Sequence, residues 1–192
     1  MSPSGGGGAH GLAGRLLVAL PALEQDEFRR TVVLLLHHDD EGATGVVLNR
    51  PMPVRVDAVL PPWQEHVSAP ARLFRGGPVG LDSALGLVVV PGDGPEPPGV
   101  RRLHGALGLV DLDADPGTVS RAGSGVRVFA GSAGWGPGQL EGELVDGAWL
   151  VLDAEAGDAV TPDPGGLWRA VLGRQPGRLR LLASFPADPS HN

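Results

Sequence analysis

TVVLLLHHDDEGATGVVLNRP, residues 31–51, decides how this chain folds. Two apolar runs, Thr31 to Leu36 and Thr44 to Asn49, flank an acidic turn that ends at Gly42. Runs of that length joined through a glycine predict an antiparallel pair. The first run is apolar at every position after Thr31, so neither face reads as solvent-facing and the strand belongs inside its sheet. Neither Pro51 nor Pro53 can donate to a ladder, and they are expected to stop the second strand.

Outward from this pair, Arg15 to Leu20 is a short apolar run ended by Pro21, which predicts another strand. Residues 22–30 carry Glu24, Asp26 and Glu27 and read as a turn or short helix. Val56 to Leu60 suits one or two helical turns, and Leu73-Phe74 leads into the loop Arg75-Gly76-Gly77-Pro78. Ala84 to Val90, Leu107 to Leu112, Val126 to Ala130 and Ala148 to Asp153 read as strands, with a surface loop over residues 91–99. Residues 113–124 read as a polar connection with one helical turn after Pro116. Gly131 to Gly138 reads as a glycine-rich loop, after which Leu140 and Leu144 share one helical face. Residues 166–173 predict a helix, and 179–185 suit either helix or strand. Strands cluster as hairpins and helices enter irregularly, so the fold class is α+β with a mixed, mostly antiparallel sheet. One domain over residues 15–185 is expected, between a Gly/Ser-rich disordered tail (1–14) and a C-terminal tail (186–192).

Composition removes whole mechanisms. The 192 residues suffice for one real core without a staple. There is no Cys, Lys, Tyr or Ile, and all 15 basic residues are Arg. That excludes disulfides, cysteine-ligated metals, a thiol nucleophile, a Schiff-base or Walker lysine and a tyrosine acid. A net charge of −7 argues against wholesale binding to nucleic acid or anionic membranes. No run of about 18 apolar residues exists, so no membrane contact is expected. The N-terminus lacks the basic and apolar regions of a signal peptide, so the expected location is cytoplasmic.

Three separated motifs carry a resemblance. The first is Pro21-Ala-Leu23, Phe28-Arg-Arg30-Thr-Val-Val33, His37 and Gly42-Ala43-x-Gly45-Val-Val-Leu-Asn49-Arg50-Pro51. The second is Gly76-Gly77-Pro78. The third is Gly131-x-x-Gly134-Trp135-x-x-Gly138-Gln139-Leu140-Glu141-x-Glu143-Leu144, followed by Trp149. In this order and spacing, from about Gly14 to Trp168, the chain resembles the YqgE/AlgH family of small, largely uncharacterised bacterial proteins. The resemblance implies a single α+β domain whose strongly bent, bifurcated sheet packs around a few helices. It implies no mechanism: the family's transcriptional-regulator label rests on a genetic link to alginate control, not on a recognised DNA-binding fold. The chain departs from the family in its glycine-rich start and its shortened 113–124 segment.

The residues themselves support several chemistries. Asn49 and Arg50 sit at a strand end, where an amide and a planar guanidinium could fix a polar ligand; the plainer reading is a tied turn. His37 and Asp39 repeat every second residue and could form half a metal site, with His104 as a third ligand. Ala130-Gly131-Ser132-Ala133-Gly134 approximates a nucleophile elbow, with Ser132 served by His37 or His104, although Trp135 to Gly138 intervene before the helix. The turn Gly134 to Gly138 could cradle an anion, but Glu141 and Glu143 would repel it. Arg169, Arg174, Arg178 and Arg180 form an acid-free cluster that could contact phosphates, with Trp168 stacking on a base.

Weighed together, these readings favour a protein that is not an enzyme and needs no cofactor or metal. It would bind an unidentified small ligand or protein through a groove lined by Asn49, Arg50, Gly76, Gly77, Trp135 and Gln139. The alternative is a regulator touching nucleic acid through the C-terminal arginines, and a serine hydrolase ranks last. A monomer or weak dimer is expected.

Overall fold

The computed structural model describes residues 11–21 and 28–185. The readings made for residues 1–10, 22–27 and 186–192 lie outside them. Chain order begins with strands β1 (Arg15–Ala19), β2 (Val32–Asp39) and β3 (Gly42–Val47). β2 and β3 form the expected antiparallel hairpin, with Leu34 opposite Val46 and Asp39 opposite Gly42. β1 lies antiparallel along the other side of β2. The far edge is filled by β10 (Trp149–Asp153), which runs antiparallel to β1 with Arg15 opposite Asp153.

The next strands are β4 (Pro51–Arg55), β5 (Arg72–Arg75), β6 (Val79–Val89), β7 (Val100–His104) and β8 (Leu107–Val110). β3 ends at Val47, ahead of both prolines, which lie in a further strand. Pro51 opens β4, an edge strand paired only with β5, where missing N–H donors cost no ladder bond. β7 pairs only with β8 and alternates too weakly to show in the sequence, since Arg101 to His104 leave it mostly solvated.

β9 (Val126–Trp135) makes the sheet bifurcate. Its first half runs parallel to β5 and antiparallel to β6, while its second half pairs with β3. The full order is β10-β1-β2-β3-β9-β6-β8-β7, with β4 and β5 branching from β9. Gly131 allows the turn between the two halves: its φ of +72° suits glycine, and β6 shifts register opposite it. The expected loop over residues 131–135 is therefore strand.

Alternation along the strands sends side chains to separate cores. Leu16, Val18, Val32 and Leu34 join Phe74, Phe129, Val171 and Leu172 inside the bend. Leu17, Val33 and Leu35 face the opposite side with Trp135, Leu140 and Trp149. A third cluster, Val56, Trp63, Leu73, Val88 and Val119, fills the outer face of the second half. Both faces of β1 and β2 are thus covered, which explains their continuous apolar runs. Each such Leu or Val contributes about 1.5–3 kcal/mol by leaving water.

Helices complete those layers. α1 (Pro116–Ala122) spans nearly two turns, with Asp115 accepting from the Thr118 N–H (2.7 Å) at its start. α2 (Gln139–Val145) covers the Trp135 cluster through Leu140. α3 (Leu167–Gly173) buries Leu167, Trp168, Val171 and Leu172, and α4 (Leu179–Leu182) settles residues 179–182 as helix. Residues 11–14, expected to belong to the tail, are docked: the Leu12 N–H donates to His38 Nδ1 (3.0 Å) and the Gly14 N–H to the Leu35 carbonyl (2.8 Å). Among the described residues, no helix is long and apolar enough to cross a membrane.

One tie spans distant segments. Arg127 on β9 is 1% exposed, and its guanidinium lies 4.2 Å from the centre of the Phe74 ring. It donates to the carbonyls of Ala69 (2.6 Å) and Thr161 (2.8 Å), while its Nε has no partner. Burial pushes its pKa down to about 10.

Candidate functional site

The chain enters β2 through a constrained corner. Arg30 has φ +54°, the one positive value on a non-glycine residue among those described. Such backbone costs about 1–2 kcal/mol and persists where its surroundings over-determine it. Asn49 does much of that holding. Its side chain, 4% exposed, accepts from the Val32 N–H (3.0 Å) and donates to the Arg30 carbonyl (2.9 Å). The Thr31 hydroxyl adds a bond to the Phe28 carbonyl (2.7 Å). Asn49 therefore ties the turn, and by doing so aims the arginines beside it.

Those arginines line a cavity of about 530 Å³. Arg29, Arg30 and Arg50 border it from the β2 and β3 ends. Gly165, Gly166 and Arg169 border it from the start of α3, with buried Asn49 and Trp168 completing the wall. Arg50 donates to the carbonyls of Asn49 (3.3 Å) and Arg29, and burial lowers its pKa from the ordinary arginine value. Arg30 donates to the Phe185 carbonyl (2.8 Å) and stacks 4.7 Å above the Trp168 ring. Its pKa is also lowered, first by burial and then by the positive charges of Arg169 and Arg29. Among the described residues, the wall carries no carboxylate.

Trp168 is not placed to stack on a base. It is 2% exposed, its indole N–H donates to the Ala19 carbonyl (2.8 Å), and Arg30 covers its face.

The six residues expected to share a groove do not share one. Asn49 and Arg50 line the cavity; Gly76, Gly77, Trp135 and Gln139 are not in its wall. Gly76 and Gly77 lie where β5 leaves the β9 bend, and a Cβ on Gly77 would overlap the Ser132 backbone. Their lack of side chains serves close backbone approach. Trp135 and Gln139 belong to a clamp around Glu143. One carboxylate oxygen accepts from the indole N–H groups of Trp135 (2.9 Å) and Trp149 (2.8 Å), the other from the Gln139 amide (3.1 Å). The third motif of the sequence is thus a fastening of α2 to the sheet.

The C-terminal arginines also separate. Arg169 lines the cavity. Arg174 is engaged with Asp158 (2.6 and 2.8 Å) and Glu155 (3.3 Å), and its hydrogen bond to Asp158 raises its pKa. Arg178 and Arg180 flank the start of α4 and face solvent.

Ser132 lies within β9 opposite Val79, not on a strand-to-helix turn, so the elbow geometry is missing. His37 and Asp39 form an exposed pair (2.8 Å) at the hairpin end, while His104 packs beside Gly14. No group of three His, Cys, Asp or Glu suited to a metal ion occurs among the described residues. What the sequence missed is the pair Arg29 and Arg30, which stood inside the first motif without being read as site residues. Their position directly before the most apolar strand was the available signal.

Comparison with known proteins agrees with this architecture. The AlgH-like family profile matches residues 16–180. A UPF0301 protein of Streptomyces avermitilis is 56% identical over 185 residues, covering 94% of this chain and 95% of the relative. One from Thermobifida fusca is 49% identical over 190 residues, covering 94% and 96%. The crystal structure of a Corynebacterium diphtheriae protein superposes with a TM-score of 0.84 at 36% identity, covering 90% of this chain and 92% of that one. The solution structure of the AlgH protein from Pseudomonas aeruginosa gives 0.68 at 27% identity, covering 98% and 100%. With the bifurcated sheet and all three motifs inside the matched span, the chain belongs to the AlgH-like family.

Proposed function

We propose that this protein binds a small anionic ligand in the arginine-lined cavity beside Asn49. The observation that carries the reading is the convergence of Arg50 and Arg169, from distant parts of the sequence, on one concave space next to a strained, tightly held corner. Cavities of a few hundred Å³ with a few convergent polar groups are the usual form of small-ligand sites. Strain of the kind held at Arg30 clusters at such sites. The role is binding rather than turnover: the described wall offers guanidinium and amide groups, with no imidazole, carboxylate or hydroxyl to serve as base or nucleophile.

Thermal unfolding at constant ionic strength, with chloride exchanged for inorganic phosphate or pyrophosphate, tests this. A ligand at 100 times its Kd stabilises by about 2.7 kcal/mol, a shift of several degrees for a chain this size. We expect a saturable rise in Tm for the wild type that is lost in Arg169→Gln, a change at an exposed position. A Tm that does not respond to either anion, or responds equally in the variant, overturns the proposal.

A further inference from the structure

We infer that the ligand is an oligophosphate, recognised by its chain of phosphoryl groups and not by any base attached to it. This rests on the anion-site reading above and narrows it to a chemical class. Three observations on the cavity carry it.

The first is the distribution of cationic groups. Arg50 reaches the space from the corner after β3, and Arg169 from the first turn of α3. A single carboxylate presents one planar edge and satisfies one guanidinium fork; a tetrahedral phosphoryl group presents oxygens in several directions. A ligand with charges strung along its length meets both sides together. The second is size. The cavity, about 530 Å³, exceeds what one compact oxyanion fills, so a ligand made of several linked oxyanions matches it better. The third concerns the aromatic wall. Trp168 is the aromatic residue among the described wall residues, and Arg30 already occupies its face while Ala19 takes its N–H. No aromatic face is left there for a nucleobase, so a nucleoside triphosphate and inorganic tripolyphosphate should engage the site chiefly through their shared phosphoryl oxygens.

Isothermal titration of the full-length protein at fixed ionic strength tests the inference, with tripolyphosphate, orthophosphate, citrate, ATP and GTP as titrants. Tripolyphosphate should bind at least about tenfold more tightly than orthophosphate or citrate, the worth of one further charge-assisted contact. ATP and GTP should fall within about threefold of each other, since neither base is read. Arg169→Gln should weaken tripolyphosphate about tenfold or more, and Arg178→Gln, on the solvent side of α4, should leave it unchanged. Arg50→Gln provides a second variant from the opposite side of the cavity, with the same loss expected. Citrate binding as tightly as tripolyphosphate, or a strong preference between ATP and GTP, overturns the oligophosphate assignment while leaving an anion site in place. No heat with any titrant, or binding that both arginine variants leave intact, overturns the assignment and the anion site together.

Discussion

At the scale of single residues, the site is organised by one strained backbone. Arg30 adopts a left-handed conformation because Asn49 holds its carbonyl and the Val32 N–H. Replacing it separates strain from side-chain contacts. Arg30→Ala and Arg30→Gly both lose the bond to Phe185 and the stack on Trp168, but only glycine is at ease with φ +54°. Urea unfolding should therefore find the glycine variant about 1 kcal/mol more stable than the alanine variant. An alanine variant more stable than the glycine variant, by the roughly 0.4–1 kcal/mol that glycine's freer unfolded chain costs, would show that the corner carries no strain. Asn49 was legible in the sequence because it is the one Asn besides Asn192 and stands at a strand end. Arg30 was not, because its φ is imposed by a side chain 19 positions away. Trp135 and Gln139 were legible as a motif, yet their purpose depends on Glu143, whose double capture of two indoles cannot be read from spacing.

Elements follow the same division. Continuous apolar runs gave β1, β2 and β3, since burial on both faces leaves an unambiguous pattern. β4 and β7 escaped because edge strands tolerate proline and polar residues, which removes the pattern. α1 is short and depends on its cap. Asp115 accepts from the hydroxyl and the N–H of Thr118, and these bonds hold its pKa below the ordinary 3.8. A carboxylate lowered in the folded state contributes stability above its unfolded value, and loses it as pH falls through the folded value. The stability of the wild type should thus gain an extra dependence on pH below 3.8. Asp115→Asn keeps a capping oxygen but cannot titrate, so its denaturation midpoints should match the wild type near neutrality and fall less steeply in acid. Parallel curves at low pH would show that the cap is not a titrating contact.

For the molecule as a whole, the α+β class was readable from hairpin clustering, while the bent, bifurcated sheet came only from the family resemblance. No periodicity reveals that β9 serves two sheets, because its partners β3, β5 and β6 are far away in sequence. Arg127 binds that arrangement together by holding carbonyls on two separate segments. Arg127→Ala leaves both carbonyls unpaired and a void over Phe74, and should cost about 3 kcal/mol or more in urea unfolding. Arg127→Met refills the void without a charge and should recover about 1 kcal/mol of that loss. A loss below about 1 kcal/mol in the alanine variant would show that the tie is dispensable.

β9 also sets a timetable for biosynthesis. Strands β1 to β3 leave the ribosome early, yet the exposed side of β3 has to wait for residues 133–135, and that of β1 for residues 149–153. For most of translation, the most apolar hairpin of the chain presents two open edges, the condition under which nascent strands pair with the wrong neighbour. The acidic hairpin tip, with Asp39, Asp40 and Glu41 at its end, is the charge nearest to those edges during that interval.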